Sequence, residues 1–135
     1  MAYTTDYKCI PGLTANSTGL ASSQFLFGKL SSTAGKVIAP GTLNSTSNPG
    51  TYLGVIMNAP GALEEVEFAD QGIVKVIAAT STIVIGDRVY SNSTGKATDA
   101  GTTDNGFFIG RALTAAGAVS DLITVKLNGN GGARY

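Results

Sequence analysis

The chain has 135 residues, enough for one domain with a hydrophobic core. Its nine basic and nine acidic residues balance, which argues against a nucleic-acid binder, because such proteins carry a basic surplus or stripe. It has no histidine and a single cysteine, Cys9, which excludes Ser-His-Asp and Cys-His catalytic arrangements and any intrachain disulfide.

The first 23 residues are polar and differ from the rest of the chain. Their larger apolar side chains, including Tyr3, Tyr7, Ile10 and Leu13, follow no regular spacing. Such a segment is not expected to form a packed element by itself. We interpret 1–23 as an N-terminal arm, which is either a flexible terminus or an extended segment that becomes ordered on a partner.

Short apolar segments separated by turn residues follow. They predict strands over 24–30, 36–39, 52–57, 63–68, 73–78, 82–85, 88–90, 107–113 and 122–127. In 63–68 the alternation directs Val66 and Phe68 inward and Glu65 and Glu67 outward. A turn is predicted at 70–72, and the glycine-rich residues 128–135 predict a flexible tail.

Part of this pattern occurs twice. Residues 51–55 match 107–111, and 59–63 match 115–119, both at an offset of about 56, while 32–36 match 92–96 at about 60. The repeated positions are glycines, turn residues and apolar residues, so they indicate architecture. We predict an all-β fold, a compact sandwich-like or barrel-like domain over 24–127 built from a duplicated β unit, with the extended arm before it. The loops at 42–50 and 97–105 should then lie in equivalent places.

No residue pattern predicts an enzyme, a cofactor site or a metal site. Cys9 has no predicted base near it and is interpreted as a plain free thiol. The acidic cluster at 64–70 lacks the alternating Asp/Asn pattern and the glycine of a calcium loop, so it is interpreted as the solvent face of a strand.

Two further motifs are interpreted as turns. Gly95-Lys96 resembles the end of a phosphate-binding loop, but the preceding glycine lies too far away and Ala97 replaces the hydroxyl residue that such a loop needs. Asn-Ser-Thr occurs at Asn16, Asn44 and Asn92 as a formal glycosylation acceptor. No secretion signal and no apolar run of membrane-spanning length are present, so we expect a soluble protein made and used without export.

With these residues in view, the chain resembles the small capsid decoration, or cement, proteins of tailed bacteriophages. The fragments that carry the resemblance occur in the family's order at 20–30, 53–61, 64–68, 72–76, 85–90, 95–97 and 109–113. The resemblance covers about 20–127 and implies an all-β domain on the outside of a phage head, often a trimer at local threefold axes. It requires no catalysis, cofactor or disulfide.

The resemblance leads to a structural virion protein that binds the outer surface of an assembled head and stabilises the major-capsid lattice. The implied partners are the major capsid protein and two further copies of the chain, with no nucleic acid and no membrane. Before assembly the protein would reside in the host cytoplasm. We expect the arm to lie along a capsid groove through Tyr3, Tyr7, Ile10 and Leu13.

An alternative from another class is a carbohydrate-binding β-module on a phage or cell surface. It would need an exposed aromatic platform. The chain has no tryptophan, five tyrosines and five phenylalanines.

Overall fold

Ten strands and no helix occur in the part of the chain that the computed structural model describes, residues 6–31, 34–38, 53–92, 94–99 and 108–129. This confirms the all-β class. The strands are β1 Asp6–Cys9, β2 Thr14–Ala15, β3 Phe27–Leu30, β4 Lys36–Ile38, β5 Leu53–Ile56, β6 Phe68–Ile77, β7 Arg88–Ser91, β8 Ala97–Asp99, β9 Gly110–Ala112 and β10 Leu122–Asn128.

All ten strands belong to one sheet with β6 at its centre. The order is β2-β4-β3-β5-β6-β10-β9-β7-β8, and β1 pairs with β6 off this path. β5 pairs with the first two residues of β6, and β10 pairs with its last seven. β6 therefore joins two halves of the sheet.

The two halves have the same connectivity. In the first half β3 pairs with β4 and β5, and β5 pairs with β6, which gives the order β4-β3-β5-β6. In the second half β7 pairs with β8 and β9, and β9 pairs with β10, which gives β8-β7-β9-β10. The registers of the paired strands also correspond. Gly54 pairs with Gly28 in the first half, and its counterpart Gly110 pairs with Val89, the counterpart of Gly28, in the second. The predicted duplication is confirmed. We call residues 13–69 the first unit and residues 76–126 the second unit.

The repeat extends to backbone conformations that L-residues rarely adopt. Gly35 and Gly95 have φ of 75° and 87° in the two equivalent turns. Phe25 and its counterpart Gly86 have φ of 64° and 93°, and their N–H groups donate to equivalent carbonyls at the ends of β5 and β9. Such agreement indicates one backbone design used twice.

The N-terminal segment is part of this repeat, which corrects the expected arm over 6–23. β2 pairs with β4 in parallel, and Ala78 makes the corresponding parallel bridge to Ala97 in the second unit. Residues 13–20 are thus the first unit's counterpart of 76–83. β1 adds an antiparallel partner to β6. The sequence did not reveal this, because a strand of two residues has no readable periodicity.

Each unit has its own apolar core. The first core contains the buried residues Leu13, Ala15, Leu20, Val37, Ile56, Val66 and Phe68. Their counterparts Val76, Ala78, Ile83, Ala97, Ala112, Ile123 and Val125 lie in the second core. The second core also takes in Phe27, Val55, Met57 and Ala69 from the first unit, so these four side chains join the units.

The alternation predicted for 63–68 is confirmed, since Val66 and Phe68 are buried and Glu65 and Glu67 are exposed. Four local predictions were wrong. Of the strand predicted over 63–68, only Phe68 belongs to β6, and Ala97–Asp99, predicted as the start of a loop, form β8. The predicted turn at 70–72 lies within β6, where the pairing with β1 shifts by one residue and absorbs the turn residues as a bulge. The predicted strand at 82–85 is an irregular segment.

The first and last strands of each unit meet. Thr14 bridges Glu65 in the first unit, and its counterpart Ile77 pairs with Leu122 in the second. The description as a sandwich or a barrel stays a prediction. The loop 42–50 and most of 97–105 lie outside the described residues, although the strands before and after them are equivalent.

Candidate functional site

The structure places three of the four predicted partner-binding residues against the domain. Tyr7 on β1 packs on the second core, and Ile10 packs on the first. Leu13 belongs to the first core and is 8% exposed. Tyr3 lies outside the described residues. Leu13 therefore has an architectural role, because a side chain with so little surface cannot form an interface.

The Tyr7 hydroxyl donates a hydrogen bond of 3.2 Å to Glu67 Oε1. Burial, followed by that hydrogen bond, raises the pKa of Tyr7. Burial and the charges of Glu67 and Asp70 likewise raise the pKa of the Cys9 thiol. A raised pKa leaves less thiolate at neutral pH, which suits the interpretation of Cys9 as unreactive.

The Asn-Ser-Thr motif at Asn92 closes a turn. Asn92 Oδ1 accepts hydrogen bonds from the backbone N–H of Thr94 and of Lys96, at 3.0 and 2.9 Å. Asn16 Oδ1 accepts the Thr18 hydroxyl in the first unit. Both motifs, with Gly95-Lys96, therefore occur in turns as predicted, and Asn44 lies outside the described residues.

Four large apolar residues of the second unit are exposed and lie on two adjoining segments. Val84 and Ile85 are 56% and 71% exposed, and Val119 and Leu122 are 62% and 48% exposed. We call these four residues the apolar edge. Backbone hydrogen bonds join the two segments at Ala78–Asp121, Ala78–Ser120, Ile83–Ala116 and Gly86–Ala112.

Comparison with the first unit shows that the fold does not require apolar residues at two of the four positions of this edge. The counterpart of Ile85 is Gln24, and the counterpart of Leu122 is Glu65; both are exposed. The same backbone forms with polar side chains at these positions. Exposed apolar side chains that folding does not need are typical of a contact with another protein surface.

Among the described residues of the first unit, Leu63 is the exposed large apolar residue. It is 59% exposed and has a φ of 62°, and its counterpart Ser120 has a φ of 72°. A left-handed leucine costs about 1–2 kcal/mol, so glycine would suit the backbone better. Strain and exposure in one residue suggest a role outside folding.

Sequence analysis missed the apolar edge because it assigned 82–85 to a strand. The signal was present in the repeat. When the two copies are aligned through their turns, the residue that corresponds to Ile85 is a glutamine and the residue that corresponds to Leu122 is a glutamate.

Within the described ranges, no three metal-binding side chains gather at one place. In the same part of the chain, no helix is long and apolar enough to cross a membrane.

Residues 29–127 match the sequence model of a family described as phage cement protein. The match begins in β3 and ends in β10, so it covers most of both units. No curated protein matches the chain. The resemblance found from the sequence is thereby confirmed.

Proposed function

Because the chain belongs to the phage cement protein family, we propose that it binds the outer surface of an assembled phage head and holds neighbouring major-capsid subunits together. The family's role is structural and capsid-stabilising, which places the chain in the virion capsid. A ligand that binds only the assembled lattice stabilises that lattice by mass action. Repetition over a symmetric shell makes many modest contacts strong together.

We further propose that the protein acts as a homotrimer and that the apolar edge contributes to self-association. Val84, Ile85, Val119 and Leu122 offer large exposed apolar side chains on two hydrogen-bonded segments, which is the chemistry of an interface centre. Tyr3, in the N-terminal residues, would contact the capsid. The protein would be made in the host cytoplasm and join the head after expansion.

The observation that carries the proposal is the family match over both units. The test is co-sedimentation of the purified protein with undecorated expanded heads, with unexpanded heads as the control. We expect saturable binding to the expanded heads alone, at a fixed ratio to the major capsid protein, and a higher melting temperature of the decorated heads.

Absence of binding to both kinds of head would refute the proposal for that phage. The carbohydrate-binding alternative would then be tested by a glycan array. Binding without any change in head stability would leave decoration in place and remove the stabilising role.

A further inference from the structure

Three cationic residues stand directly opposite one another on three adjacent strands. Arg88 on β7 pairs with Arg111 on β9, and Arg111 pairs with Lys126 on β10. Cross-strand partners point to the same face of a sheet, with Cβ atoms about 5 Å apart. Both guanidinium groups lie over the Phe108 ring, each 5.9 Å from the ring centroid.

Two more lysines lie on this face. Lys75 on β6 stands opposite Thr124 and donates a hydrogen bond of 2.9 Å to its Oγ1. Lys8 on β1 stands opposite Gln71 and is exposed. We call the five residues Lys8, Lys75, Arg88, Arg111 and Lys126 the cationic face.

The cationic face gives a chain of zero net charge a strongly uneven charge distribution. It carries five of the nine basic residues. Among the described strand residues, the one acidic residue on the same face is Asp6, which stands opposite Ile73. Four basic and eight acidic residues remain for the rest of the chain. One face therefore has a surplus of four positive charges and the remainder an equal surplus of negative charges.

The corresponding face of the first unit has the opposite character. Its equivalent row is Phe27 opposite Val55 opposite Ala69, and all three are fully buried. They pack into the second core and so join the units. The second unit presents Arg88, Arg111 and Lys126 on the equivalent surface.

An outward-facing sheet surface needs polar side chains for solubility, but solubility does not require a single sign of charge. Like charges directly opposite each other destabilise a sheet, whereas alternating signs would stabilise it. In this row the guanidinium groups are held by the Phe108 ring and by a 3.0 Å hydrogen bond from Arg111 Nη1 to the Gly86 carbonyl. The fold does not require the row, because the first unit forms the same strands with Phe27, Val55 and Ala69. A charged row that the fold does not require indicates a role in binding.

We infer that the cationic face docks on an acidic protein surface of the assembled head. This inference rests on the proposed function and names the part of the chain that meets the capsid. Complementary charge steers the encounter and fixes the orientation of the bound protein. It also makes the contact sensitive to salt, since exposed charges are screened over about 8 Å at physiological ionic strength.

A second copy of the chain suits the cationic face less well. The carboxylates outside it are largely engaged in their own turns: Asp87 accepts the Val84 N–H, Asp121 accepts two N–H groups, and Glu64 accepts the Gly61 N–H. Glu67 accepts the Tyr7 hydroxyl and Asp99 the Thr82 hydroxyl.

The test is a double variant, Lys8→Glu with Lys126→Glu, compared with Lys29→Glu with Lys96→Glu. Both pairs change the net charge by the same amount, and only the first lies on the cationic face. Lys8 and Lys126 are exposed, so the fold should persist. Lys126→Glu would place a negative charge beside Arg111, and we expect an unchanged or higher melting temperature.

Binding to nuclease-treated expanded heads should be at least about tenfold weaker for the face variant and nearly unchanged for the control pair. Wild-type binding should also weaken as salt is raised. Equal binding by both variants, alongside intact wild-type binding, would overturn this inference and leave the proposed function standing. Failure of the wild type to bind any heads would overturn the proposed function itself.

Two further outcomes would name another occupant and overturn the inference. If the face variant loses self-association while the control pair keeps it, the occupant is a second copy of the chain. If wild-type binding disappears when the heads are treated with nuclease, the occupant is a nucleic acid.

Discussion

Replacing Gly54 by alanine should destabilise the fold far more than an ordinary glycine substitution. An added Cβ at Gly54 would lie 2.7 Å from the Ala69 carbonyl oxygen and 2.7 Å from two ring carbons of Phe68. β5 cannot move away, because β3 pairs with one of its edges and β6 with the other. The equivalent Cβ at Gly110 would collide with the Lys126 carbonyl oxygen.

Overpacking of this kind costs about 3 kcal/mol when the neighbours are backbone atoms that cannot shift. Unfolding entropy of about 2.1 cal/mol/K per residue gives about 280 cal/mol/K for a chain of this length. Each kcal/mol then lowers the melting temperature by about 3–4 °C, and Gly54→Ala should lower it by about 10 °C. Gly110→Ala should have a similar effect.

The matched control is Gly35→Ala. Its φ of 75° makes alanine unfavourable, yet an added Cβ would meet no atom within 4 Å. It should therefore cost only about 1 kcal/mol, or about 3–4 °C. Thermal unfolding of all three variants by circular dichroism, at one protein concentration, measures the difference. If Gly54→Ala unfolds at the same temperature as Gly35→Ala, the close-approach argument is wrong.

Three further predictions follow from single residues. Leu63→Gly should stabilise the free protein by about 0.5–1 kcal/mol in urea unfolding, because it relieves the left-handed leucine; no gain would remove the argument from strain. The raised pKa of Tyr7 predicts that stability present below pH 10 is lost as the pH rises through the higher pKa of the folded state. The Tyr7→Phe variant should lack this part of the pH dependence of stability. Identical pH profiles of the two proteins would contradict the prediction. Ile85→Gln with Leu122→Glu introduces the first unit's residues and should keep stability within about 0.5 kcal/mol while weakening self-association in sedimentation velocity; a large loss of stability would show that the apolar edge serves the fold.

The repeat was predictable because both copies use the same residues where the backbone demands them. Gly54 and Gly110 permit a close approach of neighbouring strands, and Gly35 and Gly95 permit a left-handed turn. Such requirements survive divergence, so an offset of about 56 was visible without any structure. The alternation at Val66 and Phe68 was readable for a similar reason, since one face of that segment is buried.

The opening of the first unit was not predictable by the same reasoning. Leu13, Ala15 and Leu20 occupy the positions of Val76, Ala78 and Ile83, but the segments share little sequence. What they have in common is backbone pairing with β4 and β8 and a buried environment, which become visible only in three dimensions. The bulge in β6 was missed because a Gly after polar residues is typical of turns and also of bulges.

The candidate surfaces come from the difference between the copies rather than from either copy alone. Where both units bury a residue, as at Val37 and Ala97, the fold explains the choice. Where one unit buries Val55 and the other exposes its counterpart Arg111, the fold explains only the first, because the same backbone accommodates both. The residue that folding leaves unexplained is then the better guide to a partner. In a chain without histidine, cofactor motif or metal-binding pattern, this internal comparison locates function that motif analysis cannot, and it directs the first variants to β1 and β10.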